Sequence, residues 1–147
     1  MAIYDRDELV YLKYDSVIDI DKTDFVVTAR THFSNPIFSY LLYEMKSSKN
    51  ELKYLWYDKK NHKIIIFERL TAGLNPHDYN SLLKENLQAQ VERKEGPPEV
   101  YNVSIELMGS NVNANESVLI QNRNGDLSIL KGTYFRPENL TIYPYGE

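Results

Sequence analysis

The chain has 147 residues, a usual size for one domain, and this is long enough to bury a hydrophobic core. Hydrophobic residues make up 42% and charged residues 26%, a composition that excludes an extensively disordered protein. The formal charge of −4, with Lys and Arg scattered along the chain, argues against nucleic acid as a partner. Cysteine is absent, which excludes disulfides, thiolate metal sites and cysteine nucleophiles. We therefore expect one folded domain over residues 1–147.

The N-terminal residues indicate where the protein works. Residues 1–8 carry acidic side chains where a secretion signal would need a basic start and an apolar run. No apolar stretch approaches the ~20 residues that a membrane-spanning helix requires. Together with the lack of cysteine, these features predict a cytoplasmic protein that does not contact a membrane.

The first third of the chain is rich in strand patterns. Residues 8–14 and 16–20 are predicted as short strands, and residues 24–33 alternate clearly between two faces. One face of this third strand is apolar, and it carries Phe25, Val27, Ala29, Thr31 and Phe33. The opposite face carries Val26, Thr28, Arg30 and His32.

Two Asn-Pro steps predict helix starts. An Asn can accept hydrogen bonds from the first free amides of a helix, and Pro fits its first position. The first helix is predicted from Asn35-Pro36 to about residue 48, and the second from Asn75-Pro76 to a stop at Gly96. Apolar residues spaced three and four apart support both helices. They are Phe38, Leu41, Leu42 and Met45 in the first, and Tyr79, Leu82, Leu83, Leu87 and Val91 in the second.

Two hairpins and two further strands complete the pattern. Residues 51–58 and 63–70 are predicted to pair in a register that puts Trp56 beside Ile65 and Tyr54 beside Phe67. Residues 99–108 form an alternating strand. Residues 117–132 form a hairpin turning at Asn124-Gly125, a pair suited to a type I′ turn. Residues 140–143 are expected to add a short edge strand.

The order of these elements predicts the fold class. Residues 24–108 follow the sequence strand–helix–strand–strand–helix–strand, which resembles the ferredoxin-like arrangement. We therefore predict an α+β domain with a mostly antiparallel sheet, two helices on one face, added N-terminal strands and a C-terminal hairpin. Many unrelated functions share this arrangement, so the resemblance implies no particular activity.

The sheet face opposite the two helices is the predicted binding surface, because it mixes aromatic and polar side chains. Its predicted binding residues are Arg30, His32, Tyr54, Trp56, Phe67 and Glu106. The alternative is structural: the C-terminal hairpin covers this face, and Arg30 and Glu106 form an ion pair.

No motif in the sequence predicts catalysis, a metal site or a cofactor. His32 with Arg30 and Glu106 resembles an acid/base cluster but has no nucleophile beside it. Residues 19–24 contain three Asp but lack the glycine and distal glutamate of a calcium loop. Asp58 with Glu68 resembles a metal-dependent nuclease pair, but Leu70 stands where that pattern needs lysine. These residues therefore favour a protein without enzyme activity, with an enzyme kept as the alternative.

These observations lead to two functional hypotheses. The first is a non-catalytic binding module that acts on a partner protein as an inhibitor, immunity or accessory factor, with a phage or mobile-element origin. The alternative is a small-molecule-binding protein or enzyme that uses the open sheet face. Pairing of sheet edges or faces would make either one a homo-oligomer.

Overall fold

The computed structural model describes residues 9–145. The N-terminal acidic stretch and Glu8 lie outside the described residues. Residues 9–14 of the predicted first strand are described and form turns and irregular structure, so a strand over these residues is wrong. Between residues 9 and 145, the helical segments are two single 3₁₀ turns, Pro76–Asp78 and Pro137–Asn139, and no helix is long and apolar enough to cross a membrane. The strands are β1 Val17–Ile20, β2 Thr23–Ser34, β3 Ser39–Ser47, β4 Leu52–Asp58, β5 Lys63–Arg69, β6 Tyr79–Arg93, β7 Glu99–Ser110, β8 Glu116–Arg123, β9 Asp126–Tyr134 and β10 Leu140–Tyr143.

The strands close into an antiparallel barrel. The ten strands follow the order β10-β1-β2-β3-β4-β5-β9-β8-β7-β6, and a further ladder joins β6 back to β2. That ladder pairs Ala29 with Arg93 and Ser34 with Gln88, so it uses the C-terminal half of β2. The N-terminal half of β2 pairs with β1, which in turn pairs with β10. Strands β2 to β9 therefore form the barrel, and β1 and β10 form a flap beside it.

The predicted α+β, ferredoxin-like class is wrong, since both predicted helices are strands. The first helix, from Pro36 to about Ser48, is β3. Residues 40–43 are all buried because β3 packs against apolar residues on both faces. A strand buried on both sides shows no alternation, so its apolar run also matches a helical stripe.

The second predicted helix is β6, the longest strand of the barrel. Leu83, Leu87 and Val91 are four residues apart, a spacing that fits one face of a helix and also one face of a strand. In the structure Leu87, Ala89 and Val91 are buried while the residues between them are exposed. The period is therefore two, and pairing with β7 along nearly its whole length overrides the helical pattern.

The two Asn-Pro steps form turns that do not continue into helices. The Asn35 side-chain oxygen accepts hydrogen bonds from the amides of Ile37 (2.8 Å) and Phe38 (2.7 Å). Asn75 accepts from the amide of His77 (3.2 Å) at the 3₁₀ turn. The Asn side chain thus has the predicted acceptor role, but it closes a short turn between strands.

Both predicted hairpins are confirmed. β4 and β5 pair Trp56 with Ile65 and Tyr54 with Phe67. β8 and β9 turn at Asn124 and Gly125, which have φ of 54° and 94°. Positive φ at both positions is what a type I′ turn requires. The predicted strands at 16–20, 99–108 and 140–143 correspond to β1, β7 and β10.

Two hydrophobic clusters lie on the two sides of strands β3, β4 and β5. The inner cluster fills the barrel and includes Phe33, Trp56 and Phe67. The outer cluster lies between these strands and a covering layer that consists of residues 9–12, β1, β10 and the start of β2. Burial of strands on both faces stabilises the barrel wall, at roughly 1.5–3 kcal/mol per large apolar side chain.

A β-bulge at Thr28 changes the face of β2. Val27 pairs with Met45 and Ala29 pairs with Glu44, so Thr28 has no partner in the β3 register. One extra residue reverses the alternation of the side chains that follow it. Phe25 and Val27 therefore belong to the outer cluster, whereas Phe33 belongs to the inner one. The predicted single apolar face from Phe25 to Phe33 is wrong for this reason.

Candidate binding groove at the barrel mouth

The two ends of the barrel differ in chemistry. At one end, inward-facing positions carry Arg93, Glu99 and Arg123. Glu99 lies 2.6 Å from the Arg93 guanidinium and 3.7 Å from that of Arg123, which stacks over the Tyr101 ring at 3.8 Å. Burial raises the pKa of Tyr101, although both guanidiniums oppose the shift. Ion pairs and stacked groups fill this end, so each charge already has an opposite or aromatic neighbour.

The other end opens into a depression of about 320 Å³ with aromatic walls. Tyr40 and Trp56 stack with ring centroids 4.8 Å apart, and Phe38 also stacks on Tyr40, at 6.1 Å. Leu83 and Leu107 line the opposite wall. Such a stack presents rigid apolar surface with few rotamers to order on binding.

A second depression of about 560 Å³ continues the first across the end of β3. The two share four lining residues: Phe38, Tyr40, Asp58 and Asn61. We call the combined depression the mouth groove. Exposed apolar side chains stand at its two ends, Ile37 at 76% and Leu82 at 58% exposure.

The polar groups of the mouth groove lie on its rim. Asp58 accepts hydrogen bonds from the backbone amide (3.2 Å) and side-chain amide (2.8 Å) of Asn61, so its carboxylate holds the β4–β5 turn. The Lys63 ammonium lies 5.6 Å from the centroid of the Tyr134 ring. Lys59 and Lys60 line the outer part of the groove. The rim is thus locally basic in a chain whose formal charge is −4.

The Tyr40 hydroxyl belongs to one ring of the aromatic stack. Burial raises the pKa of Tyr40, and the carboxylates of Asp58 and Glu85 raise it further. The hydroxyl therefore stays protonated at neutral pH and can donate a hydrogen bond to a bound group.

A further depression, of about 730 Å³, lies at the opposite part of the molecule and has a different character. It is bordered by the start of β2 and the β3–β4 turn, and Val26 is the single apolar residue among those that line it. No aromatic ring lines it, so it lacks the rigid apolar surface that the stacked rings give the mouth groove. The mouth groove is therefore the better candidate site.

The six predicted binding residues do not share a surface. Tyr54, Trp56 and Phe67 point into the barrel, where they are 8%, 1% and 0% exposed. Of these three, Trp56 lines the mouth groove and forms its floor. The predicted open face is wrong because this sheet closes on itself.

Arg30 and His32 lie on the outside of β2. The Arg30 guanidinium donates to the Val10 carbonyl oxygen (3.1 Å) and lies 4.7 Å from the centroid of the Tyr11 ring. His32 Nε2 is 2.8 Å from the Ser39 hydroxyl. These contacts hold the covering segment and the β2–β3 hairpin.

Glu106 lies on β7, where Lys84 of β6 is its register partner. Strand β6 thus separates Glu106 from Arg30, whose own partner across the β2–β6 ladder is Glu92. The predicted ion pair between Arg30 and Glu106 is not formed. Whether Arg30, His32 or Glu106 binds a ligand stays a prediction.

The acidic residues of the calcium-loop and nuclease-like patterns make contacts within the fold. Asp19 accepts a hydrogen bond from the Lys22 amide (3.0 Å) in the β1–β2 turn, and its side chain raises the pKa of Asp24. Glu68 forms an ion pair with Lys53 at 2.8 Å. Within residues 9–145, no three His, Asp or Glu side chains are grouped closely enough to hold a metal ion.

Sequence reasoning missed several residues of the groove, including Phe38, Tyr40 and Leu83. The signal was present, because apolar residues alternate at positions 38, 40 and 42 directly after the turn at Asn35. That alternation is also part of the continuous apolar run that matched a helix.

Comparison of the chain with protein-family models, with curated proteins and with solved structures found no significant match in any of the three.

Proposed function

We propose that this chain is a non-catalytic binding module that docks onto a partner protein through the mouth groove. The observation that carries the proposal is the aromatic stack of Tyr40 and Trp56 at the floor of an elongated groove with exposed Ile37 and Leu82 at its ends. The inhibitor, immunity and accessory roles expected from the sequence all belong to this class.

The shape and chemistry of the groove support a protein partner. Tight protein interfaces depend on a few large apolar or aromatic side chains that enter well-packed pockets surrounded by a rim. The depression beside Trp56 is wide enough for one such side chain, and the outer depression extends the contact. Ile37 and Leu82 would lose water on docking, which contributes roughly 25 cal/mol for each Å² of apolar surface buried.

A matched pair of exposed leucines tests the proposal. Leu82 borders the groove and is 58% exposed, whereas Leu127 lies beside the β8–β9 turn and is 61% exposed. Both Leu82→Asp and Leu127→Asp should fold, since neither side chain is buried. The binding probe is a display library of short random peptides, and the readout is the emission of Trp56, the single tryptophan of the chain.

We expect the library to enrich peptides with a large apolar side chain that change Trp56 emission. Leu82→Asp should weaken their binding at least tenfold, or about 1.4 kcal/mol, and Leu127→Asp should bind like the unaltered protein. Equal binding to all three proteins, or no enrichment at all, would contradict the proposal.

A small organic ligand is the second candidate, favoured by the size of the inner depression. Its volume of about 320 Å³ lies at the lower end of the range for ligand sites. The Tyr40 hydroxyl would then orient a flat ligand against the stack. The test is a thermal-shift screen of a set of aromatic metabolites. If one metabolite raises the melting temperature, if Leu83→Asp abolishes that increase, and if the library enriches no peptide, the small-ligand function replaces the docking function.

The proposal also includes the cytoplasmic location expected from the lack of cysteine. Fractionation of cells that express the tagged protein from its own gene would test this part. Recovery of the protein in an oxidising compartment would count against it.

A further inference from the structure

Strand β6 is longer than the strand that closes the barrel against it. It spans Tyr79–Arg93 and pairs with β7 along nearly its whole length. On its second edge, β2 pairs with residues 88–93. Among residues 9–145, no strand pairs with residues 79–87 on that edge. The N-terminal half of β6 is therefore an open strand edge.

The direction of one hydrogen bond identifies the backbone groups on this edge. The Asn35 side-chain amide, which follows β2, donates to the Asn86 carbonyl oxygen at 3.3 Å. Backbone groups of alternate residues point to the same edge of a strand. The N–H groups of Lys84 and Asn86 and the Lys84 carbonyl therefore face the open edge. The Asn35 side chain thus occupies the Asn86 carbonyl oxygen, to which the N–H of an added strand would otherwise donate.

The open edge borders the mouth groove. Leu82 and Leu83 belong to this part of β6 and both line the groove. A strand added to the edge would direct alternate side chains towards the groove and towards solvent. The inward side chains would reach the apolar wall between Leu83 and Phe38.

The rim charges favour one kind of segment. Lys59, Lys60 and Lys63 line the groove together with one carboxylate, that of Asp58, so the charged side chains of the lining are net positive. Acidic side chains on an incoming segment would complement these lysines. The register shift between Ser81 and Leu83 interrupts the edge, so that strand addition is limited to a short segment.

We propose that the partner protein binds by strand addition: an extended, acidic segment pairs with the edge of β6 at Lys84 and Asn86 and places apolar side chains in the mouth groove. Main-chain hydrogen bonds then supply part of the affinity, and the groove supplies the specificity. This inference rests on the proposed function and specifies how the partner docks.

Amide hydrogen exchange tests the pairing directly. In the free protein the Lys84 and Asn86 amides should exchange fast, while those of Glu85 and Leu87, which face β7, should exchange slowly. Addition of a peptide selected from the display library should slow exchange at Lys84 and Asn86 at least tenfold. The selected peptides should alternate apolar and acidic residues.

Two variants distinguish the contribution of the Lys84 backbone amide to peptide binding from that of the Lys84 side chain. Lys84→Pro removes the edge N–H and should weaken peptide binding at least tenfold, whereas Lys84→Ala keeps the N–H and should bind within about twofold of the unaltered protein. If Lys84→Pro fails to fold, a peptide methylated on its edge-facing backbone nitrogens makes the same test on the unaltered protein.

The outcomes distinguish this inference from the proposed function. Peptides that bind, lose affinity on Leu82→Asp and leave the Lys84 amide unprotected would overturn strand addition and keep the groove as a docking site. If no peptide binds the protein, both strand addition and the proposed docking function are refuted. A concentration-dependent dimer in sedimentation that protects the Lys84 amide would replace the partner protein by a second copy of this chain.

Discussion

Gly132 permits the close approach of β5 and β9, and Gly132→Ala is the sharpest test of the fold on which the groove depends. The glycine lies on β9, opposite Phe67 of β5. A Cβ added there would lie 2.7 Å from the carbonyl carbon of Ile66 and 2.8 Å from the Cα of Phe67. It would lie closer still to the Ile66 carbonyl oxygen. All three atoms belong to the backbone, so no side chain can rotate away.

The expected cost of Gly132→Ala follows from these distances. Carbon atoms make ordinary contacts at roughly 3.5–4.0 Å, so β5 and β9 would have to separate by about 1 Å. Overpacking costs about 1–3 kcal/mol, and each weakened ladder hydrogen bond adds about 1 kcal/mol. We therefore expect the free energy of unfolding to fall by at least about 3 kcal/mol. Denaturant unfolding followed by Trp56 fluorescence measures it.

Gly73→Ala is the matched control, because no atom lies within 4 Å of a Cβ added at that position. It should change the free energy of unfolding by less than about 0.5 kcal/mol. A Gly132→Ala protein as stable as the Gly73→Ala protein would refute the close approach of β5 and β9, and with it the geometry of the groove wall at Tyr134.

Two further substitutions probe the outer layer. The Tyr43 hydroxyl donates to the Leu9 carbonyl (2.7 Å) and accepts from the Leu12 amide (3.1 Å), so Tyr43→Phe should lower the free energy of unfolding by about 1–3 kcal/mol. Unchanged stability and unchanged proteolysis of residues 9–16 would contradict this anchor. Burial and the Arg30 charge lower the pKa of His32 below 6.5. As the pH decreases below about 6.5, the unfolded state therefore binds more protons than the folded state, and the free energy of unfolding should fall. His32→Gln should flatten that slope in denaturant titrations, and an equal slope would contradict the pKa shift.

The turns and hairpins were predictable because their chemistry is local. Asn124 and Gly125 tolerate the positive φ of a tight turn, and the register of β8 and β9 follows from it. The β4–β5 register was predictable for a similar reason, since the position of one turn determines every pair along both strands. Neither inference needs knowledge of the rest of the chain.

The helices were mispredicted because the deciding contacts are distant in sequence. The apolar run at 40–43 has two buried faces only because the outer layer covers β3, and that layer includes residues 9–12 and β10. The apolar spacing in β6 fits both periods, and its pairing with β7 decides between them. Tyr40 of the mouth groove was not predicted, because its strand β3 was assigned as a helix. Trp56, which also lines the groove, lies in a hairpin that was predicted correctly.

By itself the sequence determined where the chain turns, which residues pair across each tight hairpin, and that no cysteine chemistry is available. Tertiary structure alone decided that the sheet closes through β2 and β6, that the bulge at Thr28 moves Phe25 and Phe33 to different cores, and that Trp56 meets Tyr40 at the mouth groove. The physical reason is that turn geometry depends on neighbouring residues. Barrel closure, by contrast, depends on ladders between segments far apart in the chain.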